Sequence, residues 1–258
     1  MGNKWFFNLL YFLFSLPLWM LPFFWMAADW PFPNLFPTTY TVRSLAGIPG
    51  LGQSIGLSLA ISLSGALIST LTGFILSKEV AYHRHHHHFL LIGYLPLLLS
   101  PVLYAMSLFY FFIMFGLDAT VVGIMLGQQL ILLPYAFILC MGHWTDTFAN
   151  YLQLTENYGA NRIQKVRYLL FPMSKKLLFL CLFQTFLISW FDFAITSYIG
   201  VGQVKTLTVL VYQYLLEADY YFAAGISALI IYPPVLLLIF NRLLAKGLAF
   251  LRTELPST

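Results

Sequence analysis

The sequence predicts an all-α integral membrane protein with six transmembrane helices, and three observations lead to that fold class. Of its 258 residues, 60% are hydrophobic and only 9% are charged, whereas soluble domains carry about 25% charged residues. The mean hydropathy is +0.81. Apolar stretches of about 20 residues, the length of a helix that crosses about 30 Å of hydrocarbon, recur along the chain.

Six stretches are long and apolar enough to be spans. They run approximately over residues 5–26, 54–76, 89–115, 120–140, 177–200 and 222–244. The first has too long an apolar run for a signal peptide, and no small-x-small cleavage site follows it, so we expect it to remain a helix. Cys140 and Cys181 fall near span ends on the side predicted to be cytosolic, where packing is expected rather than a disulfide.

Basic residues predict the orientation of these spans. An even number of spans puts both termini on one side, and eleven of the 13 Lys and Arg residues would lie there, against Arg43 and Lys205 on the other side. Cytosolic loops carry the excess of Lys and Arg, so both termini are predicted to be cytosolic. The net charge of +4 then reflects orientation and gives no indication of nucleic-acid binding.

Several features that could suggest a ligand site have simpler interpretations. The HRHHHH tract, residues 83–88, is expected to be a solvated, partly cationic cytosolic loop, with metal binding or pH sensitivity as the alternative. The glycine-rich segments 47–54 and 200–206 lack the spacing of a nucleotide-binding loop. His143 and Trp144 are expected to be structural residues at the membrane interface. Since no catalytic motif is evident, the chain is not expected to be an enzyme.

Asp192 is the acidic residue predicted to lie within a span, the fifth. An ionised carboxylate there costs at least about 2.5 kcal/mol unless it faces protein or water. Such a residue commonly lines a pathway or forms a gate, and the neighbouring polar residues Ser189 and Thr196 would then belong to the same pathway. The alternative is a structural acid that only hydrogen-bonds Ser189, Thr196 or Gln184.

One long polar segment, residues 151–176, interrupts the apolar sequence. Within residues 148–158, less polar side chains recur at intervals of three and four residues, which predicts one stripe of a short surface helix: Phe148, Tyr151, Leu152, Thr155 and Tyr158. Gly159 predicts a left-handed stop. Asn161 can cap a second short helix with Ile163, Val166 and Leu170 on one face, and Pro172 precedes the next span. We therefore expect helix, glycine turn and helix on the cytosolic face.

The spacing within this segment resembles the cytosolic signature of the permease subunits of binding-protein-dependent ABC importers. That signature opens with Glu-Ala-Ala, has a glycine six residues after the Glu, and ends in an apolar-Pro pair thirteen residues after the glycine. Here Gln153-Leu154-Thr155, Gly159-Ala160 and Phe171-Pro172 keep the spacing, with Gln153 in place of the usual acid.

The resemblance extends over residues 30–245. Residues 189–215 are similar to the family's fifth span and outer loop, and the matching positions are Asp192-Phe193, Gly200, Gly202, Thr206-Leu207 and Tyr212. Residues 30–45 are similar to the outer segment of members that handle polyamines, iron(III), thiamine or phosphonates. The segment 151–176 is the more specific match.

This resemblance implies a type I ABC importer permease fold with a cytosolic coupling helix between spans four and five. A single permease domain would cover residues 1–258, with the first helix and outer segment at 1–53, a five-helix core at 54–245 and the coupling loop at 141–176. The residues that would contact the ATPase are Tyr151, Leu152, Gln153, Leu154, Thr155, Gly159, Ala160 and Pro172.

Partners and location are implied as well. Two ATP-binding cassette subunits would hold ATP and Mg, so that no cofactor is expected in this chain. A second permease, identical or different, would complete the pathway, and an extracytoplasmic solute-binding protein would deliver the solute. The chain would lie among the lipids of a bacterial inner membrane. The alternative function is an ion- or proton-coupled secondary carrier that uses Asp192, and a membrane scaffold is a further one.

Overall fold

A computed structural model describes residues 4–29, 34, 36–41, 44–83 and 86–253 of the chain. Arg43, Arg84 and His85, which entered the predictions of orientation and of the histidine tract, lie outside the described residues. So does part of the outer segment 30–45. The described part is almost entirely helical, and a short antiparallel ribbon joins Ala27–Asp29 to Thr39–Tyr40.

The elements of the described residues follow one another as α1 (Lys4–Met26), β1 (Ala27–Asp29), β2 (Thr39–Tyr40), a 3₁₀ turn (Leu45–Gly47), α2 (Leu51–Ala81), α3 (His86–Leu98), α4 (Pro101–Met114), α5 (Val121–Met141), α6 (Asp146–Asn157), α7 (Arg162–Gln164), a π-helical segment (Lys165–Leu170), α8 (Phe171–Trp190), α9 (Ala194–Gly200), α10 (Leu207–Leu216) and α11 (Tyr220–Thr253). The predicted all-helical class is confirmed.

Four helical stretches of the described residues are long and apolar enough to cross a membrane by themselves. They are Leu51–Ala81, Val121–Met141, Arg162–Trp190 and Tyr220–Leu238. Two bent pairs pass the same test, Trp5–Leu16 with Met20–Met26 at 45° and His86–Leu98 with Pro101–Met114 at 96°. The chain therefore has the helices of a multi-pass membrane protein, and the predicted number of six is reached if each bent pair is one span.

The third predicted span, residues 89–115, is not one straight helix. It is divided into α3 and α4, whose axes meet at 96°. Ser100 is extended, with φ −60° and ψ 131°, and Pro101 begins α4. Proline disfavours the helical conformation of the residue before it and fits the first turn of a new helix, which accounts for the break.

The fifth predicted span, residues 177–200, is wrong at both ends. The helical run begins much earlier, at Arg162, and ends at Trp190. Residues 191–193 interrupt it before the short helix α9. Asp192 lies in that interruption, where its carboxylate satisfies backbone N–H groups that the broken helix leaves free.

Two compact units make up the chain, residues 56–205 and residues 1–55 together with 206–258. In the first unit, α4, α5 and α9 bury a shared core that includes Ala105, Ile124, Ile195 and Ile199. Gly127 permits this packing, because a Cβ there would lie 2.8 Å from Cδ1 of Ile199. Small residues allow helices in lipid to approach closely and gain van der Waals contact.

In helix α2 the distribution of small and large side chains between buried and exposed positions is opposite to that of a helix in a soluble protein. Apart from Ile61, the buried positions of α2 carry small or hydroxyl side chains, including Ser58, Ser62, Ser69, Thr70 and Ser77, whereas its exposed positions include Leu63, Leu67, Ile68, Leu71 and Ile75. Large apolar side chains on the outside suit a lipid environment. Small ones inside allow α2 to pack closely, as at Gly73, where a Cβ would lie 2.7 Å from the Cβ of Ala136.

The second unit is built from α1, α10 and α11 with the β ribbon. Ala27 pairs with Tyr40 across the ribbon, and the rings of Phe23 and Tyr40 lie 6.1 Å apart edge to face. Helix α11 approaches the end of α1 at Gly225, where a Cβ would lie 2.7 Å from Cδ1 of Trp25. This unit too depends on a glycine at a close contact.

We expect Gly73→Ala to destabilise the chain, because its Cβ would lie 2.7 Å from the Cβ of Ala136 and 2.9 Å from the backbone nitrogen of Phe137. Overpacking of this kind typically costs about 1–3 kcal/mol. Gly56→Ala is the matched control in the same helix, since a Cβ there meets nothing within 4 Å and alanine is the better helix former. Thermal unfolding in detergent measures both, and equal effects of the two substitutions would contradict the close contact.

Candidate functional site

The polar segment has the predicted helix, glycine turn and helix. Thr145 caps α6, its Oγ1 accepting from the backbone N–H of Phe148 at 3.4 Å. After α6 the chain turns at Gly159, whose φ is +71°. The N–H of Gly159 donates to the carbonyl of Glu156 and that of Ala160 to Thr155, at 2.9 and 3.0 Å. These two bonds are the Schellman motif, which needs a left-handed residue at the position of Gly159.

The second helix begins with a capping box. The Asn161 side chain accepts from the backbone N–H of Gln164 at 2.8 Å, and the Gln164 side chain accepts from the N–H of Asn161 at 2.9 Å. Two otherwise free donors are thus satisfied reciprocally. The turn between the helices is therefore fixed by local bonds at both of its ends.

A cluster of apolar rings attaches α6 to the helices around it. Phe74, Trp144 and Phe148, together with Leu170, form this aromatic anchor. Trp144 and Phe148 are 8% and 3% exposed, and their ring centroids lie 5.1 Å apart at 88°. The indole Nε1 of Trp144 donates to Oγ of Ser77 on α2 at 2.9 Å. The start of α6 is held by this buried contact to α2.

His143 adds a second attachment, to α8. Its Nε2 lies 2.9 Å from Oγ of Ser174, and its ring lies 5.1 Å from that of Phe148. Burial lowers the pKa of His143, because a charged imidazolium is poorly solvated beside these rings. The neutral ring is therefore favoured in the folded state, as expected for a structural histidine.

Large side chains on the opposite side of the segment are exposed. Tyr158 and Ile163, on the two sides of the turn, are 87% and 76% exposed. The exposed face of the segment consists of Tyr151, Leu154, Tyr158, Ile163 and Tyr168. Exposed apolar side chains in an otherwise polar segment are candidates for contact with a partner protein.

One ion pair crosses the turn. Nζ of Lys165 donates to Oε1 of Glu156 at 2.8 Å. This hydrogen bond lowers the pKa of Glu156. The pair is therefore present at neutral pH and is lost when acid protonates the carboxylate. Since Glu156 is exposed, solvent screens the attraction and the ion pair contributes little to stability. The attachment of α6 to the neighbouring helices therefore depends mainly on the buried aromatic anchor.

Pro172, predicted to precede the next span, lies within one continuous helical run from Arg162 to Trp190. A π-helical segment, Lys165–Leu170, precedes it and joins α7 to α8, and the N–H of Phe171 donates to the carbonyl of Val166, five residues back. Proline lacks an N–H and its ring clashes with the carbonyl four residues earlier in an α-helix. A wider π turn relieves that clash. The helix that follows Gly159 is thus continuous with α8.

The residues predicted to contact an ATPase are distributed over both sides of α6. Tyr151, Gln153 and Leu154 are exposed, whereas Leu152 and Thr155 are half-buried on the side of the anchor. Gly159 is exposed, Ala160 is half-buried, and Pro172 is exposed in the first turn of α8. Apart from Pro172, the exposed members stand on α6 and the turn after it, so a single partner can reach them.

Asp192 accepts four hydrogen bonds. Its carboxylate accepts from the backbone N–H groups of Ile195 and Thr196 at 3.2 and 3.0 Å, and from Oγ1 of Thr196 at 2.9 Å. Nε2 of Gln128 donates to it at 3.1 Å. Oγ of Ser189 donates to Oε1 of Gln128 at 2.6 Å. The predicted trio Asp192, Ser189 and Thr196 is thus brought together, with Gln128 linking Ser189 to the acid.

Through these bonds Asp192, two residues before α9, caps the start of that helix, while Phe193 at the N-cap position makes no side-chain capping bond. Such caps satisfy backbone donors that a helix leaves free, and in lipid each free donor costs several kcal/mol. Gln184, a predicted partner of Asp192, instead accepts from the hydroxyl of Tyr135. The structural interpretation of Asp192 therefore has direct support, while its role in a pathway remains a prediction.

Sequence reasoning missed Gln128 and the pair Ser77 and Trp144. Trp144 was expected at the membrane interface, but its ring is buried and bonded to Ser77. A signal for Ser77 is present in the sequence, since Ser58, Ser62, Ser69, Gly73 and Ser77 recur at intervals of four or seven residues along α2, which puts small side chains on one face of the helix. No comparable pattern marks Gln128, which lies in an apolar stretch.

Two further predictions concern possible ligands and cysteines. Cys140 and Cys181 are both buried and free, and they pack with Ala136.

Among the residues that the structure describes, no three His, Cys, Asp or Glu side chains are grouped as a metal site would require. His83 and His86 to His88 are among those residues, while His85 is not.

Ser77→Ala tests the aromatic anchor. The substitution leaves the buried Nε1 of Trp144 without its acceptor, and an unsatisfied buried donor costs about 1–3 kcal/mol. Ser64→Ala is the control in the same helix, since its Oγ donates only to carbonyls of α2 itself. Thermal unfolding in detergent, followed by tryptophan fluorescence, should show a lower unfolding temperature for Ser77→Ala and an unchanged one for Ser64→Ala. An unchanged unfolding temperature for Ser77→Ala would contradict this role.

Asp192→Ala and Asp192→Asn together test the cap of α9. Alanine leaves the donors of Gln128, Ile195 and Thr196 unpaired, at about 1–3 kcal/mol each. Asparagine keeps one oxygen acceptor, so it should cost clearly less. The unfolding temperature in detergent ranks the two variants. Equal stability of both variants and the parent chain would overturn the capping role.

No protein-family model matches this sequence, and no curated protein matches it. The function has therefore to be inferred from the polar segment, its anchor and the cluster around Asp192.

Proposed function

We propose that the chain is the permease subunit of an ABC importer and that the exposed face of its polar segment binds an ATPase subunit. The observation that carries this proposal is the segment itself. A helix and a glycine turn expose Tyr151, Leu154 and Tyr158, and the next helix exposes Ile163 and Tyr168. The signature spacing of Gln153, Gly159 and Pro172 supports the same assignment.

The attachments of the segment support a role in transmitting movement. The aromatic anchor connects the start of α6 to α2 through Trp144 and Ser77. The helix after Gly159 is continuous with α8 through the π-helical segment. A partner that displaces α6 would therefore also displace α2 and α8, two of the apolar helices. Such rigid-body movement is a recognised way to convert closure of one domain into opening of another.

ATP binding and hydrolysis on two separate ATPase subunits would supply the energy in this proposal. Closure of their dimer would bias the permease toward one of two states, outward- or inward-facing. A second permease would complete the pathway, and an extracytoplasmic solute-binding protein would deliver the solute. Asp192, with Ser189 and Thr196, would border the pathway at the break before α9.

A secondary carrier that uses Asp192 is the competing function. The four hydrogen bonds that its carboxylate accepts favour a fixed structural acid over one that exchanges a proton in each cycle. Asp192→Asn distinguishes the two. If the chain belongs to an importer, uptake by this variant should persist and remain dependent on ATP. If it is a proton-coupled carrier, the variant should no longer take up solute, and uptake by the parent chain should not depend on ATP.

Gly159→Val is the direct test of coupling. Valine strongly disfavours the left-handed conformation that Gly159 adopts at φ +71°. We expect the turn to be distorted and ATP-dependent uptake to fall at least tenfold, while the chain still inserts into the membrane. The measurement is solute uptake and ATPase activity of the complex purified from its native membrane.

Gly116→Val is the matched control for that test. Gly116 has a similar φ of +62°, and a Cβ there also meets nothing within 4 Å. It follows α4, away from the polar segment, so the same backbone penalty should leave uptake coupled to ATP. Normal uptake by Gly159→Val would contradict the proposed role of the turn. An equal loss of uptake in Gly159→Val and Gly116→Val would contradict it as well.

A further inference from the structure

A cavity of about 500 Å³ lies beside the polar segment, between the end of α2 and residues 152–170. Lys78 and Glu79 border it from α2, and Arg162 and Lys165 border it from the helix after Gly159. Leu152, Val166 and Leu170 supply an apolar wall. Leu152 and Leu170 also pack in the aromatic anchor, whereas the charged residues around the cavity take no part in it.

The charges of the cavity favour an anion. Lys165 is already paired with Glu156 at 2.8 Å, so these two charges offset each other. The two remaining positive charges, of Lys78 and Arg162, are then opposed by the single remaining negative charge of Glu79. Lys78 is half-buried, whereas Arg162 and Glu79 are both exposed, and water screens the two exposed, opposite charges more strongly than that of Lys78. The remaining field inside the cavity is therefore positive.

The position of the cavity favours a lipid. Helix α2 has 31 residues and is about 46 Å long at 1.5 Å per residue, whereas about 30 Å of hydrocarbon needs only about 20 residues. Its last turn, which carries Lys78, therefore extends into the headgroup region when the helix spans a bilayer. The positive charge lies next to an apolar wall. A phospholipid needs this combination, because its phosphate is anionic and its acyl chain is apolar. Basic pockets at the cytoplasmic ends of membrane helices are suited to such headgroups.

We propose that this cavity binds the phosphate of an anionic phospholipid, with Lys78 and Arg162 contacting the phosphate and Leu152 and Val166 contacting the first part of an acyl chain. The site does not depend on an ATPase partner. A bound lipid would contact both α2 and the helix after Gly159, and would thereby add a second connection between them beside the aromatic anchor.

The test compares two double variants of the full chain purified in detergent. Lys78→Gln with Arg162→Gln removes the two cations of the cavity. Arg167→Gln with Lys176→Gln is the matched control, because both of these side chains are exposed in the same region and neither borders the cavity. Bound phosphatidylglycerol and phosphatidylcholine are measured by native mass spectrometry over a range of lipid concentrations.

We expect the parent chain and the control to bind phosphatidylglycerol in preference to phosphatidylcholine. Each cation near a headgroup contributes enough for about a fivefold change in affinity, so the cavity variant should bind phosphatidylglycerol about 30-fold more weakly. Arg162→Gln alone, a substitution at an exposed side chain that should not affect folding, should weaken binding about fivefold.

Three results would overturn the proposal. Equal phosphatidylglycerol binding by the cavity variant and the control would show that Lys78 and Arg162 do not hold the headgroup. Displacement of the lipid by millimolar inorganic phosphate would assign the cavity to a free phosphate. If the cavity variant kept its lipid but lost a protein that co-purifies with the parent chain, the cavity would be a contact for that protein instead.

Discussion

The hydrogen bond from Trp144 to Ser77, with the rings of Phe74 and Phe148 packed around it, fixes the position of the polar segment. Without it, α6 would be joined to the rest of the chain mainly by short connections and by an exposed ion pair, which solvent weakens. The buried indole makes the attachment specific as well as strong, because its N–H has one acceptor at 2.9 Å and would lose that bond in another orientation.

This anchor explains why the segment can be both polar and ordered. Its buried side supplies Phe148 and Leu170 to the anchor, and its exposed side presents tyrosine, leucine and isoleucine side chains. The turn between its helices is set by the left-handed Gly159 and by the capping box of Asn161. A rigid surface of this kind needs little ordering when a partner binds, and this lowers the entropic cost of association.

A second constraint is the lack of water in the bilayer. A helix broken at residues 191–193 would leave backbone N–H groups free, and Asp192 satisfies two of them. The same requirement accounts for α2, where hydroxyl groups such as those of Ser69 and Ser77 donate to carbonyls of their own helix while large apolar side chains remain outside. These buried hydroxyl groups each have a partner, as expected of a membrane helix, whereas among the described residues Nε1 of Trp25 and Oε1 of Gln129 are buried without one.

The sequence predicts the helical membrane class well, because a run of about 20 apolar residues is a strong and local signal. It also predicts the turn at Gly159 and the cap at Asn161, which depend on neighbouring residues alone. It does not predict the 96° bend between α3 and α4 or the continuation of a helix through Pro172. In both places the outcome of a proline depends on the surrounding turn, either a new helix start at Pro101 or a π turn before Pro172.

Contacts between distant residues were the hardest to anticipate. Gln128 and Asp192 are 64 residues apart, and Trp144 and Ser77 are 67 apart. Neither pair has a sequence pattern that joins its two members. Each depends on how α5, α8 and α2 pack, which hydropathy alone does not determine. The small residues of α2 mark a packing face, but they do not identify the side chains that fill it.

We propose that the exposed face of the polar segment binds an ATPase subunit. A photo-crosslinking amino acid at position 154, introduced in cells and analysed by mass spectrometry, tests this contact most directly. We expect a crosslink from position 154 to an ATP-binding cassette protein and none from the same group at position 148, which is buried in the anchor. A crosslink from position 154 only to lipid or to this chain itself would contradict it.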